Sequence, residues 1–190
     1  MKKLTLAGLL ALLAAPAMAH TGHGATDGFL HGFLHPLSGA DHLLAMLAVG
    51  LWSGFVLPRR VWMGALTFMT AMTAGAAVAW AGFSLPLLES WITLSVLAFG
   101  LITLFSRRGQ AEGITQATLT AIGLFAFCHG QAHAIEALGD VPTYLGGFLL
   151  ATALLHLAGI GLARGLAERS MAQRLMGAGI AASGLYLLVG

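Results

Sequence analysis

Two short segments of the chain combine histidines with carboxylates. The first reads His35-Pro-Leu-Ser-Gly-Ala-Asp41-His42, and the second reads His129-Gly-Gln-Ala-His133-Ala-Ile-Glu136. Because positions i, i+4 and i+7 share one face of a helix, the second segment presents two imidazoles and a carboxylate to the same side. Such ligands suit nickel, cobalt, copper and zinc, and the affinity order of these metals does not identify one of them. The two segments therefore predict a metal site, with the metal left open.

The composition predicts that these segments lie in a membrane protein. Of the 190 residues, 58% are hydrophobic and 8% are charged, which leaves too little polar surface for a water-soluble fold. The single cysteine, Cys128, excludes an intramolecular disulfide framework and a site built from cysteines alone. The acidic and basic residues are nearly balanced, so no nucleic-acid partner is expected, whereas membrane lipid is.

The first residues have the pattern of a secretory signal peptide. Two lysines are followed by an apolar stretch, Pro16 and the small-x-small sequence Ala17-Met18-Ala19. The apolar stretch is shorter than the roughly 20 residues that a transmembrane helix needs. We therefore expect residues 1–19 to be cleaved and residues 20–190 to form a single membrane domain that begins at His20.

Six apolar stretches of about 20 residues follow, which predicts an all-α bundle of six transmembrane helices. They cover residues 38–57, 61–82, 86–105, 114–136, 142–163 and 171–189. The basic residues after the leader follow the first, third and fifth stretches and fall on one side: Arg59, Arg60, Arg107, Arg108, Arg164, Arg169 and Arg174. By the positive-inside rule that side is the cytoplasm, so both termini are expected in the periplasm of a bacterial inner membrane.

The first stretch is expected to begin with a broken helix. Pro36 lacks a backbone donor and disfavours helical geometry at the preceding residue, so we expect a break at His35 with residues 29–34 as a short helix or re-entrant segment.

The pairs Gly50-x-x-x-Gly54 and Gly161-x-x-x-Gly165 predict close contacts between helices.

Helix geometry places the two histidine segments at one depth. His42 lies 15 residues from Leu57 and His129 lies 15 residues from Ile114, which is about 22 Å from the cytoplasmic ends of both helices. We therefore expect the intramembrane site to consist of Asp41, His42, His129 and His133, with His35 and Glu136 at its outer mouth.

These segments resemble the HupE/UreJ family. The resemblance rests on a His-x5-Asp-His motif, matched from His35 to His42, and on a His-Gly-x-Ala-His-(Gly)-x-Glu motif, matched from His129 to Glu136. Cys128 stands where the family has an aromatic residue, and Ala134 replaces a glycine. The resemblance implies a secondary permease of nickel or cobalt associated with hydrogenases and ureases, with no enzymatic activity and no prosthetic group, and with the metal as its transported ligand. It leaves the oligomeric state open.

Further residues could bind metal around the expected site. They are His20, His23 and His31 on the outer side, Met46 one turn below His42, Cys128 beside His129, and His156 closer to the cytoplasm. The alternatives are a tail with chance histidines for the first group, packing roles for Met46 and Cys128, and a hydrogen bond to a neighbouring helix for His156.

Two other functions fit the same residues. An intramembrane zinc hydrolase would use Ser38, Asp41 and the histidines to hold zinc and activate water, and a haem protein would use two histidines as axial ligands. Transport is preferred because histidines also occur above and below the two segments, whereas a hydrolase needs only one site.

Overall fold

A computed structural model describes residues 25–166 and 170–189, and this part of the chain is helical without any strand. The seven helices are α1 (Ala25–Ser38), α2 (Ala40–Val56), α3 (Trp62–Trp80), α4 (Leu88–Phe105), α5 (Glu112–Glu136), α6 (Val141–Gly165) and α7 (Ser170–Val189). The all-α prediction is confirmed. The expected signal peptide, His20, His23 and Arg169 lie outside the described residues.

Helices α2 to α7 correspond to the six apolar stretches of the sequence. By length and hydropathy α3, α4, α6 and α7 are each able to cross a membrane, and α1 and α2 qualify together as a bent pair. Helix α5 does not meet this criterion, and it carries His129, Gln131 and His133. Four membrane spans, or five with the bent pair, are thus supported, and a six-span topology stays a prediction.

The first span is broken at Gly39, so the expected break at His35 is wrong by four residues. Helix α1 continues through Pro36 to Ser38, and its axis then makes an angle of 80° with α2. The hydroxyl of Ser38 donates to the carbonyl oxygen of His35 at 2.7 Å, which satisfies one of the free carbonyls of the last turn. Helix α1 thus includes Pro36, which cannot donate the backbone bond that would normally reach the carbonyl oxygen of Gly32.

Gly39 makes room for two side chains of the candidate site. Its backbone is extended, with φ −98° and ψ 123°. A Cβ at this position would lie 2.8 Å from Asp41 Oδ1 and 3.2 Å from His42 Nδ1. The first of these distances is too short for a Cβ contact. Because Gly39 has no side chain, Asp41 and His42 in the first turn of α2 can lie this close to the bend.

Helix α2 is the central helix of the bundle. Twelve of its 17 residues are buried, and it contacts α1, α3, α4, α6 and α7. Outside this helix, α3 pairs most extensively with α5, α4 with α7, and α1 with α6. The first turn of α2 and the half of α5 that carries His129 and His133 consequently lie between neighbouring helices.

Glycines allow several of these pairs to touch backbone to backbone. A Cβ on Gly50 would lie 3.1 Å from the Cα of Gly159, and one on Gly54 would contact Ala163 and Ile160, so the first predicted glycine pair packs α2 against α6. The second predicted pair is wrong, because no residue of another helix in the described part of the chain lies within 4 Å of a Cβ on Gly161 or Gly165. These two glycines point away from the face of α6 that contains Gly159.

The two ends of the bundle differ in charge. Arginines of the loops after α2 and α4 meet at one end, where Arg60 lies 3.6 Å from Glu112 and Arg108 donates to the carbonyl oxygen of Phe55. The opposite end carries Glu136 and Asp140 and the mouth of the histidine site described below. Leucines in the middle of the outer helices, such as Leu124 and Leu157, are more than 60% exposed, as expected of a surface that faces lipid.

Candidate metal site

Three histidines from three helices meet near the end of the bundle opposite the arginines. His35 of α1, His42 of α2 and His133 of α5 each offer one ring nitrogen, and these three atoms lie within 4.8 Å of one another. The ring of His133 is centred 4.4 Å from that of His42 and 4.8 Å from that of His35. His42 and His133 are buried, and His35 is partly exposed. We call these residues the three-histidine cluster.

Two of the cluster histidines are each hydrogen-bonded to a carboxylate. Asp41 Oδ1 lies 2.8 Å from Nδ1 of His42, and Glu136 Oε2 lies 2.9 Å from Nε2 of His35. A carboxylate can only accept, so each imidazole donates its N–H there and keeps a lone pair on its other nitrogen. Metal-binding histidines are commonly oriented by a carboxylate in this way.

This arrangement differs in two respects from the one expected from the sequence. His35 lies in the cluster instead of at its outer mouth, because the bend at Gly39 brings the end of α1 over α2 and α5. Asp41 lies beside the cluster as the hydrogen-bond partner of His42, and Glu136 is likewise the partner of His35. Both carboxylates are therefore placed to orient ligands.

His129 lies next to the cluster, with its ring centred 5.0 Å from the ring of His42. Its Nε2 is 2.9 Å from the hydroxyl oxygen of Ser95, which itself donates to the carbonyl oxygen of Ile92 at 2.6 Å. Since the single hydroxyl proton of Ser95 is used for Ile92, Ser95 accepts from Nε2–H of His129. The lone pair of His129 is thus on Nδ1, which is buried without a hydrogen-bond partner.

Replacing Ser95 with alanine is expected to weaken metal binding about tenfold, because partners that orient a ligand histidine typically contribute 10-fold to 100-fold to affinity. Titration of the purified protein with nickel(II) or cobalt(II) measures this. Thr93→Ala is the matched control, since the hydroxyl of Thr93 lies on the same helix and donates only to the backbone of Glu89. Equal affinities of the two variants would show that Ser95 does not position His129.

Most of the unpaired buried polar atoms in the described part of the chain belong to histidines. Nine buried side-chain nitrogen or oxygen atoms there have no hydrogen-bond partner, and six of them are imidazole nitrogens, on His31, His42, His129, His133 and His156. Leaving a buried polar atom unpaired costs about 1–3 kcal/mol. Each of these five histidines therefore has a buried nitrogen that a ligand could satisfy.

Gln131 was not among the residues predicted from the sequence, and it fixes the half of α5 that carries His129 and His133. Gln131 accepts from the backbone N–H of Leu85 at 2.9 Å and donates to the carbonyl oxygen of Phe83 at 3.3 Å. Gln131 is fully buried and lies on the side of α5 opposite His129 and His133. It therefore ties the loop between α3 and α4 to the helix that carries two of the histidines.

The remaining candidate ligands lie outside the three-histidine cluster. The ring of His31 is centred 5.9 Å from that of His35, towards the outer end of α1. Cys128 and Met46 are buried, and Met46 belongs to the apolar core. His156 is fully buried in α6 and is taken up below. Ser38, which the hydrolase alternative would use together with Asp41 and the histidines, donates its hydroxyl proton to the carbonyl oxygen of His35.

The fold and the site define the class of the protein as a helical membrane protein with a histidine cluster buried among its helices. The chain belongs to the HupE / UreJ protein family, whose model matches residues 8–187. It is 38% identical to Protein HupE of Rhizobium leguminosarum bv. viciae over an alignment of 187 positions, and the alignment covers 95% of each chain. The family is associated with nickel accessory functions of hydrogenase and urease, which does not favour the hydrolase alternative. No solved structure matches the chain significantly.

Proposed function

We propose that the protein is a secondary permease that takes up a divalent transition metal, nickel or cobalt, and supplies it to the maturation of a hydrogenase or urease. The observation that carries this proposal is the meeting of His35, His42 and His133 within 4.8 Å. Neutral imidazoles are suitable ligands for nickel(II) and cobalt(II). His42 and His133 also keep buried nitrogens that no protein group uses.

The proposed orientation places the three-histidine cluster towards the periplasm and the arginine end in the cytoplasm. It follows from the positive-inside rule and requires six spans in the inner membrane and cleavage of the signal peptide before His20. His35 and Glu136 are partly exposed, so the cluster is open to the side from which the metal would come. A divalent cation that enters a compartment whose interior is negative by 100 mV gains about 4.6 kcal/mol, which drives uptake without a second ion.

Uptake by the purified protein in liposomes tests the proposal. Vesicles with the protein and an inside-negative potential are expected to accumulate radioactive nickel or cobalt many times faster than vesicles without protein. Unlabelled nickel, cobalt and zinc added in turn would rank the metals by competition. Equal rates in the two kinds of vesicle would contradict the permease function.

Metal binding is expected to weaken as the pH falls from 7.5 to 5. A protonated imidazole has no lone pair for a metal, so protons compete with the metal for histidine ligands. Titrations of the purified protein with cobalt(II) at several pH values measure this effect. An affinity that stays constant as the pH is lowered until the protein unfolds would indicate that histidines are not the ligands.

A further inference from the structure

His156 is a buried histidine whose hydrogen bonding leaves one ring nitrogen free. Its Nδ1 lies 2.7 Å from the carbonyl oxygen of Thr152, one turn earlier in α6. Since a carbonyl oxygen only accepts, Nδ1 carries the proton and Nε2 carries the lone pair. Nε2 is buried without a partner. Among the residues that the structure describes, the only hydrogen bond of this ring is thus made within its own helix, and it does not tie α6 to a neighbouring helix.

His156 lies deeper in the bundle than the three-histidine cluster. Its backbone carbonyl carbon is 3.1 Å from the position of a Cβ on Gly50 of α2. Gly50 follows His42 by eight residues, which corresponds to about 12 Å along the helix towards the arginine end. The free nitrogen of His156 is therefore placed on the cytoplasmic side of the cluster in the proposed orientation.

A single aromatic ring connects His156 with the outer histidines. Phe68 of α3 is fully buried, and its ring is centred 5.5 Å from the ring of His129 and 5.0 Å from the ring of His156. His129 in turn contacts His42. The rings thus form a continuous series from the cluster through His129 and Phe68 to His156.

A second donor atom accompanies His156. The hydroxyl oxygen of Thr152 is buried without a hydrogen-bond partner, and Thr152 lies one turn before His156 on the same face of α6. The hydroxyl of Thr152 is thus a second buried polar atom near His156 that makes no hydrogen bond in the described part of the chain.

We propose that His156, with the hydroxyl of Thr152, forms an inner position for nickel(II) or cobalt(II), and that it receives the ion from His129 when the Phe68 ring moves aside. This inference rests on the proposed permease function. It assigns the outer histidines to capture of the metal and His156 to its passage towards the cytoplasm. Loss of the inner position should consequently slow transport and leave capture intact.

The variant His156→Asn removes the free nitrogen Nε2 but keeps the hydrogen bond to the carbonyl oxygen of Thr152. The amide nitrogen of asparagine takes the place of Nδ1 and donates to the carbonyl oxygen of Thr152, whereas nothing replaces Nε2. We expect the initial rate of nickel uptake into liposomes to fall at least tenfold in this variant and in His156→Ala. Nickel affinity of the purified variants, measured at the outer cluster, should stay within threefold of the original protein and also reports that they are folded.

Two results would overturn the inner position. A wild-type uptake rate in His156→Asn would show that Nε2 is not used, and a parallel loss of affinity and uptake in both variants would show that His156 supports the outer cluster or the fold. Failure of the permease function itself is recognised separately. In that case the unchanged protein would give no uptake above empty vesicles, whatever the variants of His156 do.

Discussion

Replacing His42 with alanine is expected to reduce metal accumulation to the level of cells without the protein. His42 is the centre of the outer site, since its ring lies 4.4 Å from that of His133 and 5.0 Å from that of His129. The change removes one ligand and also leaves the carboxylate of Asp41 without its imidazole partner. Binding of nickel(II) to the purified protein should weaken at least 100-fold, because neither loss is compensated by a neighbouring group.

Ser38→Ala is the matched control for this experiment. Ser38 lies four residues before His42, and its hydroxyl is exposed and bonded only to the backbone of His35. A permease should keep its uptake in Ser38→Ala, whereas a hydrolase that uses this serine should lose its activity. Both proteins must be compared at equal amounts in the membrane. Normal accumulation in His42→Ala would contradict the assignment of the site.

Gly130→Ala is expected to destabilise the protein and to disturb the site together. Gly130 lies between His129 and His133 along α5, and a Cβ there would be 2.7 Å from the carbonyl carbon of Met72 and 2.9 Å from the amide nitrogen of Ala76. Since these are backbone atoms, α5 and α3 have to move apart. Overpacking of this kind costs about 1–3 kcal/mol, which should lower the melting temperature in detergent by roughly 2–12 °C. Metal affinity should fall with it, because both histidines move with α5.

Gly123→Ala provides the comparison on the same pair of helices. A Cβ on Gly123 would lie 3.6 Å from the Cγ2 of Thr67 and 3.9 Å from the Cβ of Ala71, which are ordinary contacts. Alanine is favoured over glycine in a helix interior by up to about 1 kcal/mol. This variant should therefore melt at the same temperature as the original protein or higher. Similar melting of the two variants would show that the close approach of α3 and α5 is not needed.

The sequence predicted the elements of the fold better than the arrangement of the site. The six apolar stretches agree with α2 to α7 within a few residues, because each is a long apolar segment with clear breaks. Counting residues from the cytoplasmic ends placed His42 and His129 at one level, and the structure has their ring centres 5.0 Å apart. Such counting works for two helices that both cross the bundle.

The same reasoning could not place residues whose positions depend on packing. His35 reaches the cluster only because the chain bends by 80° at Gly39. The size of this angle cannot be predicted from the residues around Gly39. Ser95 and Phe68 lie in apolar helices. A serine or a phenylalanine there forms no repeated pattern that would predict a role in the site. Gly161 was assigned to a helix contact from its spacing, although the face of α6 that meets α2 contains Gly159 instead.

The polar character of α5 has a consequence for the biosynthesis of the protein. A nascent segment enters the bilayer according to its own hydropathy, and α5 falls short of the level that α3, α4, α6 and α7 reach. Its polar residues His129, Gln131 and His133 are hidden from lipid in the finished protein by helices that are mostly made earlier in translation. In the proposed six-span topology, α5 is therefore expected to insert stably only together with α3 and α4, the earlier helices that pack against it, so that insertion of α5 and assembly of the three-histidine cluster coincide.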